Sequence, residues 1–326
     1  MPRVAILDDY QGVALQMADW SVLPTDCRVQ VFSDHLTELE ALVQRLQDFE
    51  VITCMRERTP FGRDLLQRLP NLRLLVTTGM RNAAIDLKAA TELGILVCGT
   101  AGGPDAPPAE LTWGLILALV RHLPQEDAAT RAGRWGTTVG MSLDNKVLGI
   151  LGLGRLGSKV AKVGLAFEMA VIAWSQNLTA EGAAQHGATL VSKDELFARS
   201  DILSIHVQLS ARTRDLVGAR ELGLMKPTAY LINTARGPIV DEAALVQALQ
   251  ARTIAGAGLD VFDQEPLPPG HPLTLLDNTL LVPHIGYVTE DQYRVRYRDT
   301  VENVAAYLKG EPLRILNPDV RATAGR

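Results

Sequence analysis

The hydrophobic positions of the first hundred residues form short continuous runs, separated by stretches in which apolar residues recur about every three to four positions. Continuous runs predict buried strands, and the recurring spacing predicts amphipathic helices. The predicted strands are RVAILDD, EVITCM, LRLLVTT and GILVCG, and the predicted helices are LTELEALVQRLQ, GRDLLQRL and AIDLKAATEL. Because strand and helix alternate, the pattern predicts a parallel sheet with helices on both faces.

The same alternation resumes after a glycine- and proline-rich stretch at residues 99–108, which we interpret as a linker. Further strands are predicted at KVLGILG, AVIAWS, DILSIHV, AYLINT, AGAGLDVF and TLLVPH, and further helices at LGSKVAKVGLAF and DEAALVQALQA. A chain of 326 residues is long for one domain, so we predict two α/β units, the second beginning near residue 100. The last helix, DQYRVRYRDTVENVAAYLKG, fits either unit.

One helix, AELTWGLILALVRHL, is apolar on nearly all sides and follows Pro108. Such a helix is buried either in the core of its own chain or in a contact with a second copy. It has about half of the ~20 apolar residues that a membrane span needs. We therefore expect no membrane partner.

Charge and cysteine content narrow the function classes. The net charge of −5 at pH 7 disfavours a nucleic-acid surface, which needs a concentrated basic face. Cys27, Cys54 and Cys98 lie far apart, without a C-x-x-C pair, which disfavours a disulfide framework or a zinc site. We expect a cytoplasmic protein without a metal.

Three glycines, Gly152, Gly154 and Gly157, lie between a predicted strand and a predicted helix. A strand, a tight glycine turn and a helix N-terminus together form a site for the pyrophosphate of a dinucleotide. The acid that usually binds the adenosine ribose is replaced by Ser175, followed by Gln176. Neither side chain repels a 2′-phosphate and no arginine follows to bind one, so NAD and NADP both remain candidates.

Arg236, Glu265 and His284 each follow a predicted strand. The carboxyl ends of parallel strands meet at one edge of a sheet, where the catalytic groups of open α/β proteins lie. We therefore expect these three side chains at the same edge as the glycine turn.

Several strings together resemble the D-isomer-specific 2-hydroxyacid dehydrogenase family: GLGRLG, SDILSIHVQLS, MKPTAYLINTARGPIVDEAAL, GAGLDVFDQEPLP and PHIG, in the family's order over residues 146–290. The resemblance implies an NAD(P)-dependent oxidoreductase that interconverts a 2-oxo acid and a D-2-hydroxy acid, and a homodimer. It implies two doubly wound parallel-sheet domains, with a Rossmann cofactor domain (101–287) inserted into a flavodoxin-like substrate domain (1–100 plus 288–326).

The resemblance also implies the catalytic roles. Arg236 would bind the substrate carboxylate with its planar guanidinium. His284 would act as the acid and base, and Glu265 would hold it protonated and oriented. The alternative is a dinucleotide-sensing binding protein on the same fold, similar to the corepressor branch of the superfamily.

The binding residues follow by the same resemblance. The implied cofactor-binding residues are Gly152, Gly154, Arg155, Leu156, Gly157, Ser175, Gln176, His206, Val207, Thr213, Thr234, Ala235, Asp260 and Gly286. On the substrate side, the backbone amides of Gly79 and Met80 would approach the carboxylate, and Arg56 would meet a second anionic group. Tyr287 would trim the pocket.

Overall fold

The computed structural model of this protein describes residues 1–103 and 105–320. They divide into two compact units: the chain before Asp105 joined by the chain from Val288 onward, and Asp105–Tyr287. Pro104 of the predicted linker and the predicted domain end at 321–326 lie outside the described residues.

The strands of the described chain, in order, are β1 (Arg3–Ile6), β2 (Arg28–Val31), β3 (Val51–Cys54), β4 (Leu74–Thr77), β5 (Leu96–Gly99), β6 (Val147–Leu151), β7 (Ala170–Trp174), β8 (Thr189–Leu190), β9 (Ile202–Ile205), β10 (Tyr230–Asn233), β11 (Gly256–Leu259) and β12 (Thr279–Leu281). The helices are α1 (Leu39–Leu46), α2 (Arg63–Leu66), α3 (Leu87–Glu92), α4 (Pro107–Val120), α5 (Leu123–Arg131), α6 (Arg155–Ala166), α7 (Ala180–Ala184), α8 (Lys193–Arg199), α9 (Ala219–Leu224), α10 (Glu242–Gln250) and α11 (Glu290–Leu308).

Both sheets are parallel throughout their described strands. The sheet of the first unit has the order β2-β1-β3-β4-β5, the flavodoxin-like arrangement. The sheet of the second unit has the order β12-β11-β10-β9-β6-β7-β8, which is the Rossmann order with one further strand. The predicted α/β class with two doubly wound parallel sheets is confirmed.

Each sheet buries apolar side chains on both faces. Successive residues of a strand point to opposite faces, so Val4 and Ala5 belong to different apolar clusters, as do Leu231 and Ile232. Burying each such side chain contributes about 1.5–3 kcal/mol. Two-sided burial explains why the strands are continuous apolar runs rather than alternating ones.

The structure shows which unit buries each of two helices that residue periodicity alone did not assign. The predicted apolar helix is α4, and its buried side chains, among them Trp113 and Ile116, pack within the core of the second unit. The intrachain reading therefore accounts for its apolar surface. The C-terminal helix α11 lies on the sheet of the first unit, where Val301 and Val304 join a cluster with residues of β4.

None of the described helices combines the length and the apolar composition that crossing a bilayer requires.

Candidate active site

The glycine turn connects β6 to α6 in the second unit. Gly152 has a φ of +103°, and a Cβ there would lie 2.8 Å from the backbone nitrogen of Val207. A Cβ on Gly157 would collide with the carbonyl oxygen of Gly152, whereas one on Gly154 would meet nothing within 4 Å. Gly152 and Gly157 thus allow close backbone packing, whereas Gly154 leaves open space beside the helix N-terminus.

This open N-terminus fits the pyrophosphate of a dinucleotide. Within α6, all of which is described, the first turn contains no acidic residue, and Gly154 at the N-cap contributes no side chain. The first amides of a helix have no partner inside the helix and attract anions. Arg155 adds a cation there, and its guanidinium donates to Asp105 Oδ1 at 2.7 Å. Leu156 beside it is half-buried.

The loop after β9 lies against the glycine turn, at the point where the strand order of the sheet reverses. Ligands of open α/β sheets bind at such a switch point. His206 begins this loop, with Nε2 2.8 Å from Ser204 Oγ, and burial lowers its pKa to about 4. The ring is therefore neutral at physiological pH, and Val207 follows it with its backbone against Gly152.

Three predicted cofactor residues lie at the margin of this site. Ser175 directly follows β7 and is half-buried, while Gln176 is exposed. Thr213 accepts a hydrogen bond from the Ser210 amide at 2.8 Å and donates to the Gln208 carbonyl at 2.6 Å. Its hydroxyl therefore closes its own loop.

The loop after β10 carries Thr234, Ala235 and Arg236. Thr112 Oγ1 donates to the Pro108 carbonyl, so the 2.8 Å contact between the two threonine hydroxyls is donated by Thr234. The Arg236 guanidinium donates to the Ala235 carbonyl at 2.7 Å.

Glu265 joins the loop after β11 to the loop after β12, which carries His284. Glu265 Oε2 lies 2.6 Å from His284 Nδ1, and Oε1 accepts the Phe262 amide at 3.0 Å. Burial raises the pKa of Glu265, but the hydrogen bond and charge of His284, the Phe262 amide and the charge of Arg236 together lower it below its usual value. The ionised carboxylate can only accept, so His284 Nδ1 is the donor.

Asp260 holds the backbone just beyond His284. It is 1 % exposed, and its two oxygens accept the amides of Ile285 at 2.6 Å and Gly286 at 2.9 Å. His284 itself has a φ of +52°, a left-handed conformation that non-glycine residues adopt at a cost. Burial raises the pKa of Asp260 to about 6, against the opposing effect of the two amides and His284.

Tyr287 packs its ring edge-to-face against His284, with ring centroids 5.7 Å apart. It is 8 % exposed. Its ring therefore packs against the imidazole and helps to hold it in place.

The predicted substrate residues lie in the first unit, at the carboxyl ends of β3 and β4. Arg56 is half-buried and places its guanidinium against Gly79, while Met80 is 47 % exposed. The expectation for the Gly79 amide needs correction, because that amide donates to Thr100 Oγ1 at 2.8 Å and its hydrogen is already used. Within the described chain, the Met80 amide makes no hydrogen bond.

Sequence reasoning missed two residues that shape the site. Asn233 bonds both sides of the Arg236 backbone, and a Cβ on Gly237 would overlap the backbone of Phe262. A polar residue closing an apolar strand three residues before the arginine was the available signal for Asn233. No local sequence pattern predicts the close approach at Gly237, because the backbone that it contacts, that of Phe262, belongs to the loop after β11.

Comparison with known proteins identifies relatives of the whole chain. The sequence model of the D-isomer specific 2-hydroxyacid dehydrogenase, NAD binding domain, matches residues 113–286. A glyoxylate reductase of Aeropyrum pernix is 42% identical over 267 residues, covering 79% of this chain and 80% of the relative. A crystal structure of a phosphoglycerate oxidoreductase from Vibrio cholerae superposes with a TM-score of 0.89 at 36% identity, covering 95% of this chain and 100% of that one.

A third relative is longer than this chain. A D-3-phosphoglycerate dehydrogenase of Methanocaldococcus jannaschii is 37% identical over 275 residues, which cover 83% of this chain but 52% of the relative. The chain therefore spans about half the length of this phosphoglycerate dehydrogenase.

The three glycines should separate into packing and binding roles. Gly157→Ala is expected to lower the free energy of unfolding by about 1–3 kcal/mol, because the new methyl group overlaps the Gly152 carbonyl. Gly154→Ala meets open space, so its stability should stay near wild type while NADH binding weakens. Urea unfolding and NADH titration measure both; equal stability losses in the two variants would contradict the assignment.

Asp260 should make stability depend on pH between about 4 and 6. A carboxyl group whose pKa is raised by folding binds its proton more tightly in the folded state, so its contribution to stability falls as pH rises through this window. Asp260→Asn has no titrating carboxyl group at this position and therefore lacks this pH-dependent contribution to stability. The unfolding free energy of the variant minus that of wild type should therefore rise by about 2 kcal/mol from pH 4 to pH 6. A flat difference in urea-unfolding series would count against it.

Proposed function

The chain belongs to the D-isomer-specific 2-hydroxyacid dehydrogenases, and from this membership we propose how its residues share the reaction of an NAD(P)-dependent oxidoreductase. The enzyme interconverts a 2-oxo acid and a D-2-hydroxy acid. The observation that carries the residue assignment is the 2.6 Å hydrogen bond between His284 and Glu265, next to the positive charge of Arg236.

Arg236 binds the substrate carboxylate. A guanidinium presents paired donors that match a carboxylate, and the same charge polarises the adjacent 2-oxo group. Its loop is braced on both sides, which supports a fixed position for the guanidinium.

His284 transfers the proton. Because Nδ1 donates to Glu265, Nε2 is the ring atom left to give a proton to the carbonyl oxygen in reduction or to take one from the hydroxyl in oxidation. Glu265, ionised and able only to accept, orients the ring and fixes its tautomer through the hydrogen bond from Nδ1.

The bound nicotinamide supplies or accepts the hydride. The glycine turn, Arg155 and the loop after β9 would hold its pyrophosphate. Ser175 and Gln176 would lie at the adenosine ribose, where the absence of an acid at these two positions is compatible with both NAD and NADP.

The substrate is a short 2-oxo acid, and glyoxylate is the first candidate, because glyoxylate reductases are among the relatives matched over most of their length. In the first unit, the Met80 amide remains the candidate contact for the substrate carboxylate, and Arg56 the candidate contact for a second anionic group. A pure dinucleotide sensor is not favoured, since the named relatives are enzymes.

His284→Ala is expected to lower kcat by about 10²–10⁴-fold while the dissociation constant of NADH stays unchanged, because the ring transfers a proton and does not hold the cofactor. The assay follows NADH and NADPH oxidation with glyoxylate, hydroxypyruvate and pyruvate. Exposed His186→Ala is the matched control. Unchanged turnover in His284→Ala would refute the proton role, and cofactor binding without turnover of any 2-oxo acid by wild type would favour the sensor.

We also propose a homodimer, built on an apolar segment of the second unit. Trp135 and Val139 are 89% and 94% exposed, large apolar side chains that water rarely surrounds unless a partner covers them. Their segment is anchored: Thr137 donates to Glu126 from both its amide and its hydroxyl. Hydrogen bonds from Thr138 and Thr137 lower the pKa of Glu126 to about 2, so the anchor is ionised at neutral pH.

Replacing both apolar side chains, Trp135→Arg with Val139→Glu, should therefore convert a dimer into a monomer in sedimentation velocity, while the circular dichroism spectrum of the folded chain is kept. Leu275→Arg, at another site that is 77% exposed, is the control and should stay dimeric. A monomeric wild type, or a double variant that remains a dimer, would refute this interface.

We place the enzyme in the cytoplasm, where free thiols persist. Cys54 and Cys98 are buried and unpaired, and burial raises the pKa of each to about 12. Recovery of the activity from the osmotic-shock fraction of source cells, rather than from the cytosol, would contradict this location.

A further inference from the structure

Asn233 is a buried polar residue at the end of an apolar strand. It closes β10, in register with Ile205 of β9 and Leu259 of β11, and is 1% exposed. An amide buried at this depth lowers stability unless its donor and acceptor are both used. Its presence among apolar neighbours therefore calls for a specific pair of partners.

Both partners belong to the loop that carries Arg236. Asn233 Oδ1 accepts the Ala235 amide at 3.0 Å, and Nδ2 donates to the Arg236 carbonyl at 3.0 Å. The orientation of the side-chain amide is determined by these groups, because a backbone N–H needs an acceptor and a carbonyl needs a donor. One side chain thus brackets the backbone on both sides of the Arg236 α-carbon.

Only asparagine satisfies this arrangement. Aspartate has the same shape but offers two acceptors, so an oxygen would face the Arg236 carbonyl. Serine is too short to reach both groups, and glutamine adds a methylene to a site with no exposed surface.

The other side of the arginine is fixed by packing. Gly237 directly follows Arg236 and lies so close to the backbone of Phe262 that no Cβ fits. Phe262 in turn donates its amide to Glu265. The backbone of Arg236 is therefore fixed on its N-terminal side by the hydrogen bonds of Asn233 and on its C-terminal side by the packing of Gly237 against Phe262.

We propose that Asn233 is a positioning residue for the carboxylate-binding guanidinium of Arg236, and that it sets the affinity for the 2-oxo acid without touching substrate or cofactor. The inference rests on the proposed role of Arg236. Its basis is preorganisation: a bidentate contact loses strength when the group that makes it is free to shift.

Asn233→Asp tests the proposal. It keeps the acceptor for Ala235 and removes the donor to the Arg236 carbonyl. We expect the KM for glyoxylate to rise about tenfold, with kcat within about threefold and the NADH dissociation constant within about twofold. Asn233→Ser, which removes the bracket without adding a charge, gives the same readout at the assay temperature should the aspartate variant unfold.

Asn278→Asp is the matched control. Asn278 Nδ2 also donates to backbone carbonyls, but those of Leu249 in α10 and of Ala255 just before β11, neither of which adjoins a proposed catalytic group. A purely structural role for Asn233 predicts that both aspartate variants lose melting temperature and keep the wild-type KM. That result would overturn the proposal.

A double-mutant cycle shows whether Asn233 acts through Arg236. Arg236→Ala should raise the KM strongly, and adding Asn233→Asp to it should then change the KM no further. A full additional effect in the double variant would overturn the positioning role. An unchanged KM in Arg236→Ala alone would instead refute the carboxylate role of Arg236, and with it this inference, so the two failures are distinguishable.

Discussion

The hydrogen bond between His284 and Glu265 joins two loops that leave neighbouring parallel strands, β12 and β11. Its geometry decides which ring nitrogen is available for chemistry, because the ionised glutamate accepts from Nδ1 and leaves Nε2 outward. Everything proposed for this site depends on keeping those loops in register. The parallel sheet does so by ending all of its strands at one edge, so that groups distant in sequence meet in space.

Close backbone approaches at glycine complete this edge. Gly157 lets the N-terminal turn of α6 rest on the Gly152 carbonyl, and Gly237 lets the arginine loop rest on the loop of Phe262. In both places a side chain would push apart elements whose spacing the site requires. The first contact lies at the turn proposed to hold the dinucleotide, and the second lies beside the arginine proposed to bind the substrate.

Buried polar side chains supply the remaining precision. Asn233 and Asp260 lie at the ends of adjacent strands, and each uses both of its terminal atoms to hold backbone beside a proposed catalytic residue. Asp260 was predicted among the cofactor-binding residues; its two amide contacts show that it supports the strained backbone at His284. Buried groups with satisfied partners can hold a loop more rigidly than apolar contacts, because hydrogen bonds are directional.

Patterns among neighbouring residues were sufficient to predict the α/β alternation, the glycine turn and the family. Buried strands, amphipathic helices and contiguous motifs all depend on residues that are close in sequence. It missed β2, a short edge strand whose side chains are half-exposed and therefore lack the continuous apolar run that marks the central strands. It also left α4 and α11 unassigned, because an apolar face does not say which surface covers it. The use of the Gly79 amide by Thr100 and the contact at Gly237 were decided by tertiary structure alone, because each joins segments that are distant in sequence, and residue spacing carries no record of where they meet.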